Sequence, residues 1–311
     1  MNFQQLRIIR ETVRQNFNLT EVANALYTSQ SGVSKHIKDL EDELGIELFV
    51  RKGKRFLGMT EPGRELVEIA NRILLDAKNI KQLADHFNQR DEGRLTVVTT
   101  HTQARYALPP VVAQFKQAFP KVHLVLHQAG PAEIVSMLTE GQADIGLATE
   151  ALAGVENLVS FPYYQWRHAV IVPNGHPLAS VQPLTLEAIA DYPIVTYHEG
   201  MTGRTLVDKT FDKAELTPEI VMSALDADVI KTYVELGLGI GIVASMAFDP
   251  ERDSKLKLLD CAHLFGANTT RIAIRKGHYL RGFAYRFIEL CSPALDEESV
   301  RSSVSAGGVA E

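Results

Sequence analysis

Residues 18–45 decide the fold of the N-terminal part of this chain, and they read NLTEVANALYTSQSGVSKHIKDLEDELG. Apolar residues recur at helical spacing on both sides of a short turn at residues 27–28, which predicts a helix-turn-helix. We expect Thr20 and Ser29 to cap the two helices, because a hydroxyl accepts hydrogen bonds from the free N–H groups of a first turn. Gly45 is expected to end the second helix, since glycine adopts the left-handed conformation at little cost.

The exposed face of the second predicted helix carries small polar and basic side chains. A helix fits the major groove with its N-terminal residues against base edges, and its N-terminus attracts phosphate. The alternative is an ordinary helical hairpin with a solvated polar face. The DNA-binding candidates on this face are Thr28, Ser29, Gln30, Ser31, Ser34, Lys35 and Lys38.

A basic cluster at residues 51–55, RKGKR, follows in what we expect to be a two-stranded wing. Cations around a glycine turn can bracket phosphates, and Arg51 could reach into a minor groove. The alternative is a solvated loop, but the position beside a helix-turn-helix favours a wing. Arg51, Lys52 and Lys54 are therefore further DNA-binding candidates.

Residues 1–60 resemble the winged helix-turn-helix of LysR-type transcriptional regulators. The segments that carry the resemblance are LYTSQSGVSKHI (26–37), LEDELG (40–45), LFVR (48–51) and MTEPG (59–63). The resemblance continues through nearly the whole chain, and it implies a DNA-binding domain over residues 1–60.

The composition predicts a soluble protein of two or three domains, since the 311 residues are 45% hydrophobic and 23% charged. Arginines interrupt the first 15 residues, so we expect no signal peptide. The longest uncharged apolar run, residues 236–248, is shorter than the ~18 residues that a membrane-spanning helix needs. Two cysteines imply no disulfide framework. We therefore expect a cytoplasmic protein with no membrane partner.

The net charge of −6 argues against a wholly basic DNA-binding protein. Residues 1–89 hold 13 Lys and Arg against 12 Asp and Glu, whereas the remainder holds 19 against 26. Contact with DNA must therefore depend on local basic clusters.

Residues 61–87 have the pattern of one long helix that begins near Pro62. A seven-residue apolar repeat predicts packing against another helix, either within the chain or in a second copy. The resemblance implies the second reading, a linker helix over residues 61–90 that pairs subunits in a homodimer or homotetramer. Two linked copies could then address two half-sites. The repeat comprises Leu66, Ile73, Ile80 and Phe87, with Ala70, Ala77 and Ala84 on the adjoining seam.

Residues 91–300 alternate between strand and helix patterns in two successive runs, which predicts two α/β lobes. The resemblance implies a periplasmic-binding-protein-like architecture, with lobe I at 91–162 and 268–295 and lobe II at 163–267. Residues 301–311 are small and polar, and we expect a flexible tail. The predicted fold class is therefore α/β, with an α-rich winged helix-turn-helix at the N-terminus.

Polar residues follow several predicted strands or precede helices, at residues 99–103, at Thr149 and at residues 202–204. Ligands bind at the carboxyl ends of strands in open α/β sheets. Hydroxyls, an amide and helix N-termini in one cleft would suit a small anion. Ordinary helix capping explains any one of these clusters taken alone.

Segments 100–109, 148–152, 202–204 and 226–234 resemble the CysB-like subfamily, whose members regulate sulfur assimilation and sulfonate use. The resemblance implies a cleft for a sulfate-like anion or acetylserine. Glu199 beside the cleft leaves the identity of the effector open. The expected effector-binding residues are Thr100, Thr102, Gln103, Thr149 and Thr202, with Trp166 lining the cleft.

Metal and catalytic sites are weakly supported. Asp226 is expected to cap the helix that begins at Ala227 rather than to bind a metal. Lys231 is expected to lie exposed one turn further on rather than to act as a catalytic base. His101 has no serine or cysteine nucleophile beside it. Neither an enzymatic activity nor a cofactor is therefore expected.

These patterns together predict a DNA-binding regulator, and the resemblance implies that it activates sulfur-metabolism and cysteine-biosynthesis genes. Its expected partners are promoter DNA, the small effector, further copies of itself and RNA polymerase. The rivals are a transport-type or cytoplasmic anion-binding protein and an enzyme acting on a sulfur metabolite. The N-terminal 90 residues and the lack of a nucleophile–base pair count against them.

Overall fold

A computed structural model describes residues 1–53, 55–88 and 92–306. The chain divides into two compact units, Met1–Ala84 and Asp85–Glu311. Among the described residues, no helix combines the length and the apolar character needed to cross a membrane.

The first unit is a helical domain with a two-stranded wing. Its second and third helices form the expected helix-turn-helix, and its two strands pair in antiparallel fashion. Strands β1 and β2 are joined by a turn at Gly53, and the expected DNA contact Lys54 lies outside the described residues. The elements are α1 Phe3–Arg14, α2 Leu19–Ala25, α3 Gln30–Leu44, β1 Phe49–Lys52, β2 Arg55–Met59 and α4 Glu61–Asn88.

The ends of helices α2 and α3 test the capping predictions. The Ser29 hydroxyl accepts from the Gly32 N–H at 3.1 Å, and Gly45 ends α3 with a φ of 68°, so both of these predictions are confirmed. The prediction for Thr20 is wrong. Asn18 caps α2 instead, because its side-chain oxygen accepts from the Thr20 N–H at 3.1 Å.

Helix α4 is 28 residues long and changes character along its length. Near its start, Ala70 and Leu74 are buried against Leu6 of α1. Towards its end, Ile80 and Phe87 are 68% and 70% exposed. The seam that includes Ala70 is therefore buried near the start of the helix, whereas the later repeat positions Ile80 and Phe87 are exposed.

The second unit consists of two lobes, each built on a five-stranded sheet. Buried apolar residues, among them Val97, Phe115 and Ile272, form the core of the first lobe, and Ile194 and Phe211 lie in that of the second. The first lobe contains β3 Gly93–Thr99, α5 Pro109–Ala118, β4 Val122–Gln128, α6 Pro131–Thr139, β5 Ile145–Ala148, β6 Leu158–Trp166, β12 Asn268–Arg275, α10 Gly282–Cys291 and α11 Glu297–Ala306. The second contains β7 His168–Pro173, α7 Leu186–Ala190, β8 Ile194–Tyr197, α8 Arg204–Lys213, β9 Ile220–Ala224, α9 Ala227–Glu235, β10 Ile240–Ala244 and β11 Leu256–Leu259.

The sheet orders place the strand ends that matter for a ligand. The first sheet runs β4-β3-β5-β12-β6 and the second β11-β7-β10-β8-β9. In the first sheet β3 is parallel to both β4 and β5, and β8 is parallel to β9 and β10 in the second. The segments that follow β3, β5 and β8 therefore lie at carboxyl ends of parallel strands, where α/β folds bind ligands.

Three details differ from the expectations. Strand β6 continues to Trp166, which pairs with Asn268, so the chain passes between the lobes at Arg167 rather than at residues 162–163. Residues 103–119 have the sequence pattern of one helix, but they form a π-helical turn at Gln103–Ala107 followed by α5, because Pro109 starts a new helix.

The third difference concerns the C-terminus. Residues 301–306, expected to be flexible, complete helix α11. Val300 and Val304, one helical turn apart, are both buried against the core of the first lobe, and this burial stabilises the helix. Residues 307–311 lie outside the described residues.

Candidate functional sites: a DNA interface and an effector cleft

Helix α3 has one buried face and one exposed face, as a recognition helix requires. Val33, Ile37 and Leu40 are buried in the core of the first unit. Of the predicted DNA contacts around the helix, Ser34 is half-buried and the others are exposed. The exposed members are Thr28, Ser29, Gln30, Ser31, Lys35 and Lys38.

The wing is tied to α3 by a buried carboxylate. Glu41 accepts from the Leu48 N–H at 2.8 Å and forms an ion pair with Arg51. The Arg51 guanidinium also lies 4.7 Å from the centre of the Phe56 ring. These contacts hold Arg51 against its own domain, so its role in stabilising the wing is evident, whereas the minor-groove contact stays a prediction.

A polar pocket of about 510 Å³ lies between the start of α3 and the wing. Gln30 lines it from the helix, and Lys52 and Arg55 line it from the two strands of the wing. Asn16 and Asn18 complete its wall. The geometry places an amide and two cations side by side, a combination that can contact a base edge and the adjacent phosphates. Arg55 was not among the residues predicted from the sequence.

The cleft of the second unit brings the two lobes together through threonines. Thr102 precedes the π-helical turn of the first lobe, and Thr202 precedes α8 in the second. Their hydroxyl oxygens are 3.4 Å apart, and both side chains are buried. Thr202 has a φ of 43°, which is uncommon for a residue with a branched side chain and marks a constrained position.

Trp166 connects two further threonines rather than presenting its ring alone. Its indole N–H lies 3.1 Å from the Thr270 hydroxyl and 3.3 Å from the Thr149 hydroxyl. The two hydroxyls are themselves 3.4 Å apart. The structure thus brings Thr149 and Trp166 together, and it adds Thr270, from β12, which was not among the residues predicted from the sequence.

Gln103 and Thr100 follow β3 and are both buried. The Gln103 side-chain oxygen accepts from the Tyr164 hydroxyl. Among the described residues, the Gln103 Nε2 is buried and has no hydrogen-bond partner. A buried donor without an acceptor costs free energy, and a bound anion would satisfy it.

The acidic residue in this cleft is Glu150, not Glu199. Glu199 is exposed, whereas Glu150 directly follows Thr149 and accepts a hydrogen bond from the Gly203 N–H at the start of α8. Burial raises the pKa of the Glu150 carboxyl, and the hydrogen bond from Gly203 offsets this only in part. Sequence reasoning missed Glu150, although its position next to Thr149 was a usable signal.

A buried histidine, His168, contacts the backbone carbonyl of Thr202. The His168 Nε2 lies 3.1 Å from the Thr202 carbonyl oxygen, and the Nδ1 lies 3.4 Å from the Asn268 amide nitrogen. Burial lowers the pKa of His168 to about 4, so the ring is neutral near pH 7. Gly203 packs so closely here that an added Cβ would lie 2.6 Å from the Asn268 Oδ1, which explains why glycine is required.

A second set of contacts joins the lobes at α9. Asp228 accepts from the Tyr106 hydroxyl at 2.7 Å and pairs with Arg105 at 3.3 Å. Lys231 also pairs with Asp228, at 3.2 Å, and with Asp253, at 3.1 Å. Lys231 is buried, so the expectation of an exposed position is wrong; its charge is neutralised by these carboxylates, which sequence spacing could not show.

Asp226 caps α9 as predicted, because its carboxylate accepts from the Val229 N–H at 2.9 Å. In the described part of the chain, His101, Asp226 and Asp228 place one possible ligand atom each within 4.8 Å of one another. Two of the three are already engaged: Asp226 in the cap and Asp228 with three donors. We therefore do not assign a metal site to this group.

Known protein families match both the DNA-binding part and the effector-binding part of this chain. Residues 3–64 match the family model "Bacterial regulatory helix-turn-helix protein, lysR family", and residues 88–296 match "LysR substrate binding domain". The regulator SsuR of Burkholderia cenocepacia is 58% identical over 96% of this chain and 97% of its own length. CysB of the same species is 50% identical over 98% and 97%.

A solved structure agrees with the second unit. The crystal structure of the cofactor-binding domain of the Cbl transcriptional regulator has a TM-score of 0.67 and 47% identity, and it covers 68% of this chain and 93% of that one. Proteins of this family are regulators that bind promoter DNA and small effectors and form oligomers, not enzymes. The chain therefore belongs to the LysR family of bacterial transcriptional regulators, in the group of SsuR, Cbl and CysB that acts in sulfur metabolism.

Proposed function

We propose that this protein controls sulfur-metabolism promoters in response to a small sulfur-related effector, a sulfate-like anion or acetylserine, bound in the threonine-lined cleft. The observation that carries the proposal is a set of hydroxyls and one buried amide donor: Thr102 contacts Thr202, Thr149 contacts Thr270, and the Gln103 Nε2 has no hydrogen-bond partner among the described residues. Several buried neutral donors acting together can bind an oxyanion. Thr100 is buried beside this group and joins it in the proposal.

On the DNA side, α3 enters the major groove and the wing contacts the backbone. Gln30 reads a base edge, since a side-chain amide can donate to and accept from adenine at the same time. Lys35, Lys38 and Lys52 contact phosphates and position the helix. Arg55, which lines the same pocket as Gln30, joins this set.

Two copies pair through the exposed second half of α4. Its apolar side chains include Ile80, Leu83 and Phe87, which are 42% to 70% exposed. An apolar face at a seven-residue repeat is stabilised by burial against a second helix. A dimer, or a tetramer built from dimers, then presents paired recognition helices to two half-sites.

The effector acts by population shift. An anion that contacts threonines of both lobes binds more tightly to the arrangement in which the lobes are close together, and it therefore favours that arrangement. We infer that this changes subunit packing and the spacing of the DNA-binding units in the oligomer. The protein activates transcription through contact with RNA polymerase, and it works in the cytoplasm, where promoter DNA lies.

The experiment measures binding of the purified full-length protein to the DNA upstream of its own gene and of sulfur-metabolism genes. Fluorescence anisotropy and a bending assay are carried out with no effector, with sulfate, with thiosulfate and with acetylserine. We expect specific binding in every case and a change in affinity or bending with one effector. The proposal is wrong if no anion alters affinity, bending or transcription in vitro.

A further inference from the structure

The strongest unexplained feature of the cleft is the carboxylate of Glu150. Its Oε1 accepts from the Gly203 N–H, at the N-terminus of the ten-residue helix α8. Among the described residues, its Oε2 is buried and has no hydrogen-bond partner. The ion pairs of the described residues include none to Glu150. The cleft that binds an anion in the proposed function therefore contains a carboxyl group of its own.

A buried carboxylate is costly unless a donor or a cation compensates it. Burial raises the pKa of Glu150, which expresses this cost, and the Gly203 N–H compensates only one of the two oxygens. Gln103 presents the opposite deficit, because its side chain is fully buried and its Nε2 has no acceptor in the described part of the chain. Among the described residues, the unpaired groups here include an acceptor, the Glu150 Oε2, and a donor, the Gln103 Nε2.

A bare sulfate can pair with the donor Gln103 but not with the acceptor Glu150. Its oxygens accept from Gln103 and from the threonines, but it brings no proton to Glu150, and its charge repels the carboxylate. The carboxyl group lies beside the threonines, because Glu150 accepts from the N–H of Gly203, and the hydroxyl of the preceding residue, Thr202, is 3.4 Å from that of Thr102. A ligand that carries both an ammonium and an oxyanion can donate to Glu150 and accept from Gln103 at the same time.

We propose that Glu150 is a specificity-determining residue: the cleft takes a small zwitterion, with an ammonium on Glu150 and an oxyanion on the threonines, in preference to anions that only accept hydrogen bonds. This inference rests on the proposed function, since it concerns the same cleft, and it names the chemical class of the effector.

Calorimetry on the full-length protein tests it with a matched pair of probes. Taurine and ethanesulfonate share a two-carbon sulfonate frame, and only taurine carries an ammonium; sulfate serves as the bare dianion. We expect the wild type to bind taurine about tenfold or more tightly than ethanesulfonate, as a charge-assisted hydrogen bond provides. In Glu150→Gln the preference for taurine should fall to near unity, and sulfate should bind several-fold more tightly.

The control is Glu199→Gln, which removes an exposed carboxylate and should leave all three affinities unchanged. Glu150→Ala provides a second test should the glutamine variant fold poorly. The inference is overturned if the wild type shows no preference for taurine, or if the preference survives in both Glu150 variants.

Thr102→Val separates this inference from the proposed function. If Thr102→Val abolishes binding of all probes while Glu150→Gln leaves their ratio unchanged, the cleft is the effector site and only the role of Glu150 is wrong. If Thr102→Val binds every probe as the wild type does, or if the wild type binds none, the proposed effector cleft itself is wrong.

Discussion

The hydroxyl oxygens of Thr102 and Thr202 lie 3.4 Å apart although the two residues belong to different lobes. Both side chains are buried, and each stands at the start of a helical segment, the π-helical turn in the first lobe and α8 in the second. A ligand that accepts from both hydroxyls is therefore held by both lobes. This pair provides the direct physical link between occupancy of the cleft and the distance between the lobes.

Replacing either threonine with valine should weaken effector binding without affecting DNA binding. Valine keeps the shape of the side chain and removes the donor, so Thr102→Val or Thr202→Val should reduce sulfate affinity by roughly tenfold or more, the usual value of one hydrogen bond to a charged group. DNA affinity measured without effector should be unchanged. Calorimetry and fluorescence anisotropy provide the two readouts.

Thr205→Val is the matched control, because Thr205 lies on α8 one turn from the cleft and its side chain is exposed. It should leave sulfate affinity unaltered. Wild-type affinity in both Thr102→Val and Thr202→Val would show that neither hydroxyl contacts the anion.

Gln30→Ala should weaken specific binding of DNA more than non-specific binding. Loss of a contact to a base edge costs about 1 to 3 kcal/mol at the site that it reads, whereas a phosphate contact contributes equally on all sequences. Lys52→Ala, on the opposite side of the same pocket, should instead weaken binding to all sequences and lower its dependence on salt.

Anisotropy titrations at several salt concentrations, with operator and scrambled duplexes, distinguish the two variants. An equal loss on both duplexes for Gln30→Ala would remove this residue from base recognition. An unchanged salt dependence for Lys52→Ala would likewise show that this lysine does not contact phosphate.

The parts of the fold that depend on local chemistry were predictable. The cap at Ser29, the glycine end at Gly45 and the cap at Asp226 each need only side chains a few residues apart, and all three are confirmed. The failure at Thr20 has a local cause as well. The helix begins two residues earlier than expected, because Asn18 accepts from the Thr20 and Glu21 N–H groups, and Thr20 therefore lies inside the first turn.

Long-range pairing decided what the sequence could not show. Lys231 is buried because Asp253, 22 residues away, neutralises it, and Thr270 joins the cleft because β12 returns to the first sheet. Glu150 accepts a hydrogen bond from the Gly203 N–H, although the two residues are 53 positions apart in the sequence. No periodicity or spacing along the chain encodes such pairs. Four threonines of the cleft could therefore be named from the sequence, whereas Thr270 and the carboxyl group of Glu150 could not.

Introducing a charge on the exposed half of α4 should prevent self-association. Ile80→Glu and Leu83→Glu each place a carboxylate on a side chain that is 68% or 42% exposed in the single chain, so the monomer should fold normally. In a paired assembly the same carboxylate would be buried without a partner, which costs several kcal/mol. Sedimentation velocity should show a shift to smaller species, with weaker binding to two-half-site DNA.

Lys81→Gln is the control, since Lys81 lies on the same turn of α4 and is exposed. It should leave the sedimentation coefficient unaltered. Unchanged assembly in both Ile80→Glu and Leu83→Glu would place the subunit interface elsewhere.

His168 should make the stability of the second unit depend on pH. The neutral ring, with its proton on Nε2, donates to the Thr202 carbonyl and accepts from the Asn268 amide, and burial lowers its pKa to about 4. The unfolded chain has a histidine pKa near 6.5, so between about pH 6.5 and 4 the unfolded state binds more protons than the folded state. The stabilisation is complete above pH 6.5 and is lost as the pH falls towards 4, by up to about 3 kcal/mol.

Glutamine at this position cannot titrate, yet its amide can still donate to the Thr202 carbonyl. We therefore expect the free energy of unfolding of His168→Gln, measured by urea denaturation at pH 7.5 and pH 4.5, to fall less between the two pH values than that of the wild type. His123→Gln, a change at an exposed histidine, should keep the wild-type dependence. Equal losses in wild type and His168→Gln would mean that the ring accepts a proton in the folded protein, and that the Thr202 carbonyl is not held by a neutral histidine.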